Sequence, residues 1–212
     1  MPASVVRVGL SAVAPTTTGG WLALVALACV VGYLLGAVNP AAIIARVRGA
    51  DLRGTGSGNP GATNAARAMG VKVGVLVGAL DVLKGFVPAL AFGAVAPVAG
   101  YAAGFAAVLG HITSPFLRGH GGKGVATALG AILGTTWVWA IPVLVVFGVV
   151  VALTRRVGLG AVAGSLTLIP ASLLYHPEPG GIPFACALAL LVVVRHRRNL
   201  AAAAEAVRPP EA

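Results

Sequence analysis

Charge is what this chain has least of. Only 9% of its 212 residues are Asp, Glu, Lys or Arg, where a soluble globular chain carries about 25%. Too little polar surface remains for a soluble fold. With 58% hydrophobic residues and a mean hydropathy of +0.95, the chain is expected in a membrane. Acidic residues are scarcest of all, 5 Asp and Glu against 15 Lys and Arg. In a soluble protein that balance would suggest nucleic acid. Between apolar spans, the retention of cations on the cytoplasmic side explains it more simply, and nucleic acid is not an expected partner. Cysteine is nearly absent too. Cys29 and Cys186 lie in separate apolar runs, so neither a disulfide framework nor a cysteine metal site is expected. No metal or cofactor is expected. Several catalytic signatures are also missing. There is no Gly-x-Ser-x-Gly elbow and no His-Glu-x-x-His zinc motif. No His is followed four or five residues later by a carboxylate, so the sequence offers no evident carboxylate–histidine base.

What is present in quantity is apolar sequence. A spanning helix needs about 20 apolar residues, fewer inside a bundle. Seven segments qualify. They are Trp21 to Asn39, with a further apolar turn from Pro40 to Arg46; Val73 to Val95; Val98 to Phe116; a short one from Val125 to Gly134; Trp137 to Thr154; Gly158 to Tyr175; and Gly181 to Val194. Threading the chain through a bilayer in that order puts every loop cation from Arg46 to Arg208 on one side. Only Arg7 falls on the other, and Lys84 lies inside a span. The cation-rich side is cytoplasmic, which places the N-terminus outside and the C-terminus inside. The expected fold is all-α, a polytopic seven-transmembrane-helix bundle with cytoplasmic glycine-rich loops. Residues 1–20 form an N-terminal arm rather than a signal peptide, 21–200 the membrane domain, and 201–212 a short tail. Glycines four apart (Gly32/Gly36, Gly74/Gly78, Gly100/Gly104, Gly130/Gly134) read as places where helix backbones approach closely.

Three polar segments share the cytoplasmic face: GTGSGNPGATNAARAMG at 54–70, RGHGGKG at 118–124 and RHRRN at 195–199. Hydrocarbon tolerates irregular backbone only where protein or a watery cavity covers it. The first segment contains Gly-x-Gly-x-x-Gly with Asp81 about 20 residues on, but no strand precedes it and Asp81 lies in a span, so it is not a dinucleotide site. The second is not a nucleotide phosphate loop, because Leu117 and Gly124 occupy two of its required positions. What remains is anion chemistry. Ser57, Asn59, Thr63, Asn64 and Arg67 supply donors, and Gly121, Gly122, Lys123 and Gly124 make a second cradle whose N–H groups face an anion. Two solvated loops are the bland alternative. Asp81 and Lys84, one turn apart, are either an ion pair that steadies the bundle or part of the site. His111 sits near the end of the third span, and His196 and Asn199 are one helical turn apart beyond the seventh.

These motifs together resemble the bacterial acyl-phosphate:glycerol-3-phosphate acyltransferases, an integral membrane family of the PlsY type. The resemblance covers about residues 22–205. It rests on GSGNPGATNAAR, on Asp81-x-x-Lys-Gly85, on the stretch from Gly110 to Thr127, and on Arg-His-x-x-Asn at 195–199. It implies transfer of a fatty acyl group from acyl phosphate to the 1-hydroxyl of glycerol 3-phosphate. The products are 1-acylglycerol 3-phosphate and phosphate, without ATP or coenzyme A, in the bacterial cytoplasmic membrane. It implies catalytic roles for Ser57, Asn59, Arg67, Lys123 and His196. Thr63, Asn64, Gly121, Gly122, Gly124 and Asn199 would bind substrate, with Gly58, Lys84 and His111 completing that set. Membrane lipid and the enzyme that makes acyl phosphate are expected partners. The chain departs from the pattern at Ser114, where proline is usual and Pro115 follows instead, and at Ala202, where arginine is usual. Glu205 aligns loosely with an acid of the tail. With no base pair evident, a substrate phosphate is the expected acceptor of the hydroxyl proton, its second pKa being near 6; His196 is the alternative. A transporter for an anionic solute would also use glycine loops and buried charge. Against it, the motifs crowd one face and no internal repeat is present. An assembly protein would leave the three motifs unexplained.

Overall fold

The computed structural model describes residues 14–175 and 178–205. Arg7, Arg208 and the outer parts of the arm and tail lie outside the described residues. Among the described residues the fold is all-helical. Helix α1 (Thr18–Ala37) begins where the Thr17 hydroxyl accepts the Gly20 N–H. Asn39 then caps α2 (Pro40–Arg48), its Oδ1 taking the Ala42 N–H at 2.8 Å, and Gly49 in the left-handed region ends it. There follow α3 (Ala62–Met69), α4 (Val71–Val95), α5 (Pro97–Thr113), α6 (Val125–Thr136), α7 (Ala140–Thr154), α8 (Val157–Leu166), α9 (Leu168–Leu174), α10 (Gly181–Arg195) and α11 (Arg197–Glu205).

Four helical stretches are long and apolar enough to cross a membrane: Thr18–Arg48, Val71–Val95, Val125–Thr154 and Val157–Leu174, with Gly181–Arg195 a shorter apolar helix. The third stretch is not straight. Its 30 residues would span about 45 Å as one helix, yet Val125 and Arg155 line the same cavity. The chain turns back at the 3-10 segment Trp137–Trp139. There Trp139 stacks on Tyr101 with ring centroids 6.5 Å apart, and Phe184 closes on Tyr101 at 5.0 Å. This aromatic plug holds one end of the bundle, and the polar loops gather at the other.

Two boundaries differ from the sequence expectation for a local reason. The third segment stops at Thr113 rather than Phe116, because Pro115 disfavours helical backbone at Ser114. The Ser114 hydroxyl instead donates to the Ala37 carbonyl at 2.6 Å, tying the end of α5 to the end of α1. The sixth segment is broken into α8 and α9. Pro170 has no N–H for the Leu166 carbonyl, and the Thr167 hydroxyl donates back to Gly164 O at 2.6 Å. The spaced glycines are close-approach sites as expected except Gly78, where a Cβ would make only an ordinary 3.5 Å contact with the Ala62 Cβ. A Cβ at Gly32 or Gly36 would strike the carbonyls of Ala103 or Ala107, and one at Gly130 the Val82 carbonyl. Large apolar side chains such as Leu22, Val75, Leu153 and Leu190 face outward, as a lipid-facing surface requires.

Candidate active site

The first polar segment is a folded loop, largely exposed along Arg53–Ser57 but tied together by its own hydrogen bonds. Asp51 Oδ1 accepts the N–H groups of Arg53 and Gly54 at 2.8 and 2.9 Å. Asn64 is 1% exposed; its Oδ1 accepts the Ser57 N–H at 3.1 Å and its Nδ2 donates to Leu52 O at 2.8 Å. Both polar atoms of Asn64, expected to meet substrate, are therefore engaged in clamping the loop to α3. Gly58 adopts φ +65°, a conformation glycine reaches without strain. Arg53 crosses to the second loop, donating from Nη1 to Gly58 O at 3.1 Å and from Nη2 to His120 O at 2.5 Å. Thr63 lies in the first turn of α3, as expected, where helix N–H groups lack carbonyl partners.

The second loop corrects the sequence expectation. The Gly121 and Gly122 N–H groups do not face an anion; they donate to Ile112 O at 3.0 Å and His111 O at 3.1 Å. A Cβ at either glycine would collide with His111, at its carbonyl or its ring. These glycines let the loop lie flat on the end of α5. The loop then presents Lys123, whose ammonium donates to Asn199 Oδ1 at 2.5 Å, while Arg195 Nη2 donates to Gly122 O at 3.1 Å. The third motif is thereby locked to the second. His196, 2% exposed, pairs its Nδ1 with Val192 O at 2.8 Å, which leaves Nε2 as the acceptor nitrogen.

A cavity of about 620 Å³ joins the three motifs. Ser57, Asn59, Thr63, Asn64, Arg67, His111, Lys123, His196 and Asn199 line it, while Gly58, Lys84, Gly121, Gly122 and Gly124 do not. Its far wall is apolar, formed by Leu129, Ile132, Phe147, Leu168, Leu188 and neighbours on α6 to α10. Arg155 and Arg156 also line the cavity but were not picked out as site residues from the sequence; Asp81, whose role was left open there, lines it too. The two arginines read there as loop cations alone. Ala202, where the pattern has arginine, also faces this space. Burial, then the charges of Arg195 and Arg67, pushes the Lys123 ammonium below its usual range. Burial, opposed by the Val192 carbonyl and reinforced by Lys123 and Arg195, likewise lowers His196. Among the described residues no three His, Cys, Asp or Glu gather as metal ligands.

The buried polar group beside the cavity is larger than expected. Lys84 Nζ lies 2.9 Å from Asp81 Oδ1, the ion pair the spacing allowed, and also donates to Val38 O at 2.7 Å. His111 Nδ1 stands 3.4 Å from the same carboxylate oxygen without a hydrogen bond between them. The sequence offered no carboxylate–histidine pair because its members sit on different helices. Polar residues in adjacent spans were the only signal that could have found it.

Cations and donors at one end of a cavity and an apolar wall at the other describe an integral membrane protein that handles an anionic amphiphile. The family model for glycerol-3-phosphate acyltransferase matches residues 26–206. The glycerol-3-phosphate acyltransferase of Geobacter sulfurreducens is 40% identical over 178 residues, 80% of this chain and 89% of its own. Glycerol-3-phosphate acyltransferase 1 of Deinococcus radiodurans is 41% identical over 180 residues, 82% of this chain and 89% of its own. The crystal structure of PlsY, an integral membrane glycerol 3-phosphate acyltransferase, in its glycerol 3-phosphate form superposes with a TM-score of 0.81. It is 34% identical, and the match covers 89% of this chain and 96% of that one. Its lysophosphatidic acid form gives a TM-score of 0.79. The chain belongs to the glycerol-3-phosphate acyltransferase family.

Proposed function

We propose that the chain transfers a fatty acyl group from acyl phosphate to the 1-hydroxyl of glycerol 3-phosphate. This yields 1-acylglycerol 3-phosphate and inorganic phosphate in the first step of membrane phospholipid synthesis. The observation that carries this reading is the two-ended cavity. Arg67 and Lys123 stand at one end with Ser57 and Asn59, and the apolar wall of α6 to α10 stands at the other. Phosphate oxygens take the cationic end, and the acyl chain lies along the apolar wall. The protein's work is to align hydroxyl and carbonyl carbon and to stabilise the oxyanion and departing phosphate. Ser57, Asn59, Arg67 and Lys123 do the latter, and Asn199 fixes Lys123. The proton of the attacking hydroxyl has three acceptors within the cavity: a substrate phosphate, His196 and His111.

In the membrane, α1, α4, α5, α6, α7, α8 with α9, and α10 make seven crossings of the bacterial cytoplasmic membrane. The N-terminus is outside and the three motifs are inside, where the enzyme that makes acyl phosphate can deliver it. The test is direct. Purified protein incubated with acyl phosphate and glycerol 3-phosphate is expected to release phosphate and lysophosphatidate in equal amounts. Release of neither, from a folded sample, would end this reading.

A further inference from the structure

Arg67 and Lys123 are not the cavity's only cations. Arg155 and Arg156, at the turn between α7 and α8, also line it, and the chemistry set out above gives them no task. Neither guanidinium has a hydrogen bond or ion pair among the described residues. Asp81, the one carboxylate lining the cavity, is already paired with Lys84. Arg155 holds φ +56°, left-handed backbone that is costly for an L side chain and free for glycine. Arg118 is the only other non-glycine residue in that region among the described residues, and it does not line the cavity. Leu153 and Val157, on either side of the arginines, are 80% and 41% exposed. Ile141, Val145 and Val149 of α7 also face outward. The arginines thus stand where a lipid-facing surface meets the polar mouth of the cavity, at the level of lipid headgroups. Inward from Arg155, α7 carries Phe147 and Leu144 on one face, two and three turns away. Packed beside it, α8 and α9 add Ala161, Gly164 and Leu168 at spacings of three and four. All five line the cavity, so the arginines head an apolar strip. The same turn touches the third motif. A Cβ at Gly158 would stand 2.7 Å from Asn199 Nδ2, and Asn199 Oδ1 holds Lys123. Ala202 and Ala203, three and four residues beyond Asn199, line this part of the mouth with small uncharged side chains.

Resting on the acyl-transfer reading above, we propose that Arg155 and Arg156 form the entry subsite for the membrane-borne donor. They grip the phosphate of acyl phosphate at headgroup level while its chain settles on the apolar strip of α7 to α9. Glycerol 3-phosphate, which has no chain, has nothing to place on that strip. The phosphate then passes across Asn199 to Lys123 and Arg67, where transfer takes place. No bond forms or breaks at the arginines. They speed capture of the donor and raise affinity for it. They also supply the positive charge that α11 lacks at Ala202. Lysophosphatidate joins a phosphate to a chain in the same way, so donor and product are the two sources of this ligand chemistry.

The test uses purified full-length protein in phosphatidylcholine vesicles that contain acyl phosphate, with glycerol 3-phosphate in solution, and melting is recorded for each variant. Arg155→Gly removes one guanidinium yet keeps the left-handed turn, and Arg156→Gln removes the other. The double variant is expected to raise the KM for acyl phosphate about 10–10²-fold, the worth of a charged hydrogen bond. Its kcat at saturating donor and its KM for glycerol 3-phosphate should stay at the wild-type values. Its kcat/KM for the donor should also depend less on salt, because charges at a mouth act through a screened field. Adding Ala202→Arg to the double variant should recover donor affinity, which a merely structural defect at the turn would not allow. Arg118→Gly removes the same charge from the same backbone conformation outside the cavity and should change neither KM. A double variant with the wild-type KM for acyl phosphate overturns the proposal. So does a rise confined to the KM for glycerol 3-phosphate, or an equal rise in Arg118→Gly, which would reduce the effect to surface charge. Weaker inhibition by lysophosphatidate with the donor KM unchanged would assign the pair to the product and overturn it as well. Should the double variant not fold, Arg155→Gly alone carries the test against the same outcomes. A folded wild type that makes no product removes the acyl-transfer reading and this subsite with it, an outcome visible without any variant.

Discussion

Replacing Gly122 by alanine adds one methyl group where the structure has no room for it. A Cβ built there runs into His111 Nε2 and lies 2.8 and 3.1 Å from Cε1 and Cδ2 of the same ring. The ring has little freedom to turn aside, because its Nδ1 faces Asp81 and its own carbonyl holds the Gly122 N–H. The loop must lift from α5 instead, and Lys123 moves with it. Overpacking of this kind costs about 1–3 kcal/mol, and misplacing a positioning group by about 1 Å costs on the order of 10²-fold in rate. Two controls separate the contact from the residue type. Gly148 on α7 has nothing within 4 Å of its built Cβ, so Gly148→Ala should leave turnover unchanged and gain about 0.5–1 kcal/mol of helix stability. Gly119 also has open space but sits at φ +78°, so Gly119→Ala should lose about 1–2 kcal/mol from left-handed strain alone. Melting of the purified proteins and phosphate release with saturating substrates measure both quantities. A Gly122→Ala protein with wild-type melting and rate would refute the close seating of the loop on His111. Equal rate losses in the Gly119 and Gly122 proteins would trace the effect to loop flexibility.

Lys123→Ala removes a charged donor from the cavity and should lower kcat/KM for glycerol 3-phosphate by about 10–10²-fold, the worth of a charged hydrogen bond, at unchanged protein yield; unchanged kinetics would make the loop merely structural. His196 is held below its ordinary value of 6.5, so the unfolded chain takes up its proton first. Its contribution is full above about pH 6.5 and is lost as pH falls through the lower folded value. The melting temperature should therefore drop between about pH 7 and 5 more steeply for the wild type than for His196→Gln, and parallel curves would contradict this. With Cys29 and Cys186 replaced, a cysteine at position 118 should react with an impermeant reagent only after the cell membrane is opened, and one at position 178 in intact cells. The reverse pattern would invert the proposed topology.

The membrane class, the three motifs and the family were legible in the sequence because each is written locally. Scarce charge and apolar runs mark the membrane class without any knowledge of packing, and one-sided cations are the basis of the proposed orientation. The glycine pairs also told which surfaces meet, since Gly32 and Gly36 do lie against the backbone of α5. The aromatic plug of Tyr101, Trp139 and Phe184 carried no such mark. Its members come from three separate segments, and the spans are apolar on every side, so periodicity does not report which face turns inward.

The same reasoning explains why the site was only half visible. Glycine-rich, cationic loops invite the inference that free N–H groups bind anions, but composition does not say where those groups point. Here the Gly121 and Gly122 N–H groups answer the otherwise unpaired carbonyls at the end of α5, which any helix must satisfy somewhere. One arrangement thus caps the helix and sets Lys123 at the cavity. It also presses the loop against the His111 ring, whose other nitrogen faces a carboxylate 30 positions earlier in the chain. A motif defined by spacing along one segment has no means of registering a polar pair on antiparallel helices. The close approach of α4 and α5, permitted by Gly93 and Gly100 where the backbones nearly touch, is what makes them neighbours. In this fold the small residues that bring backbones together in lipid are also what bring the chemistry together.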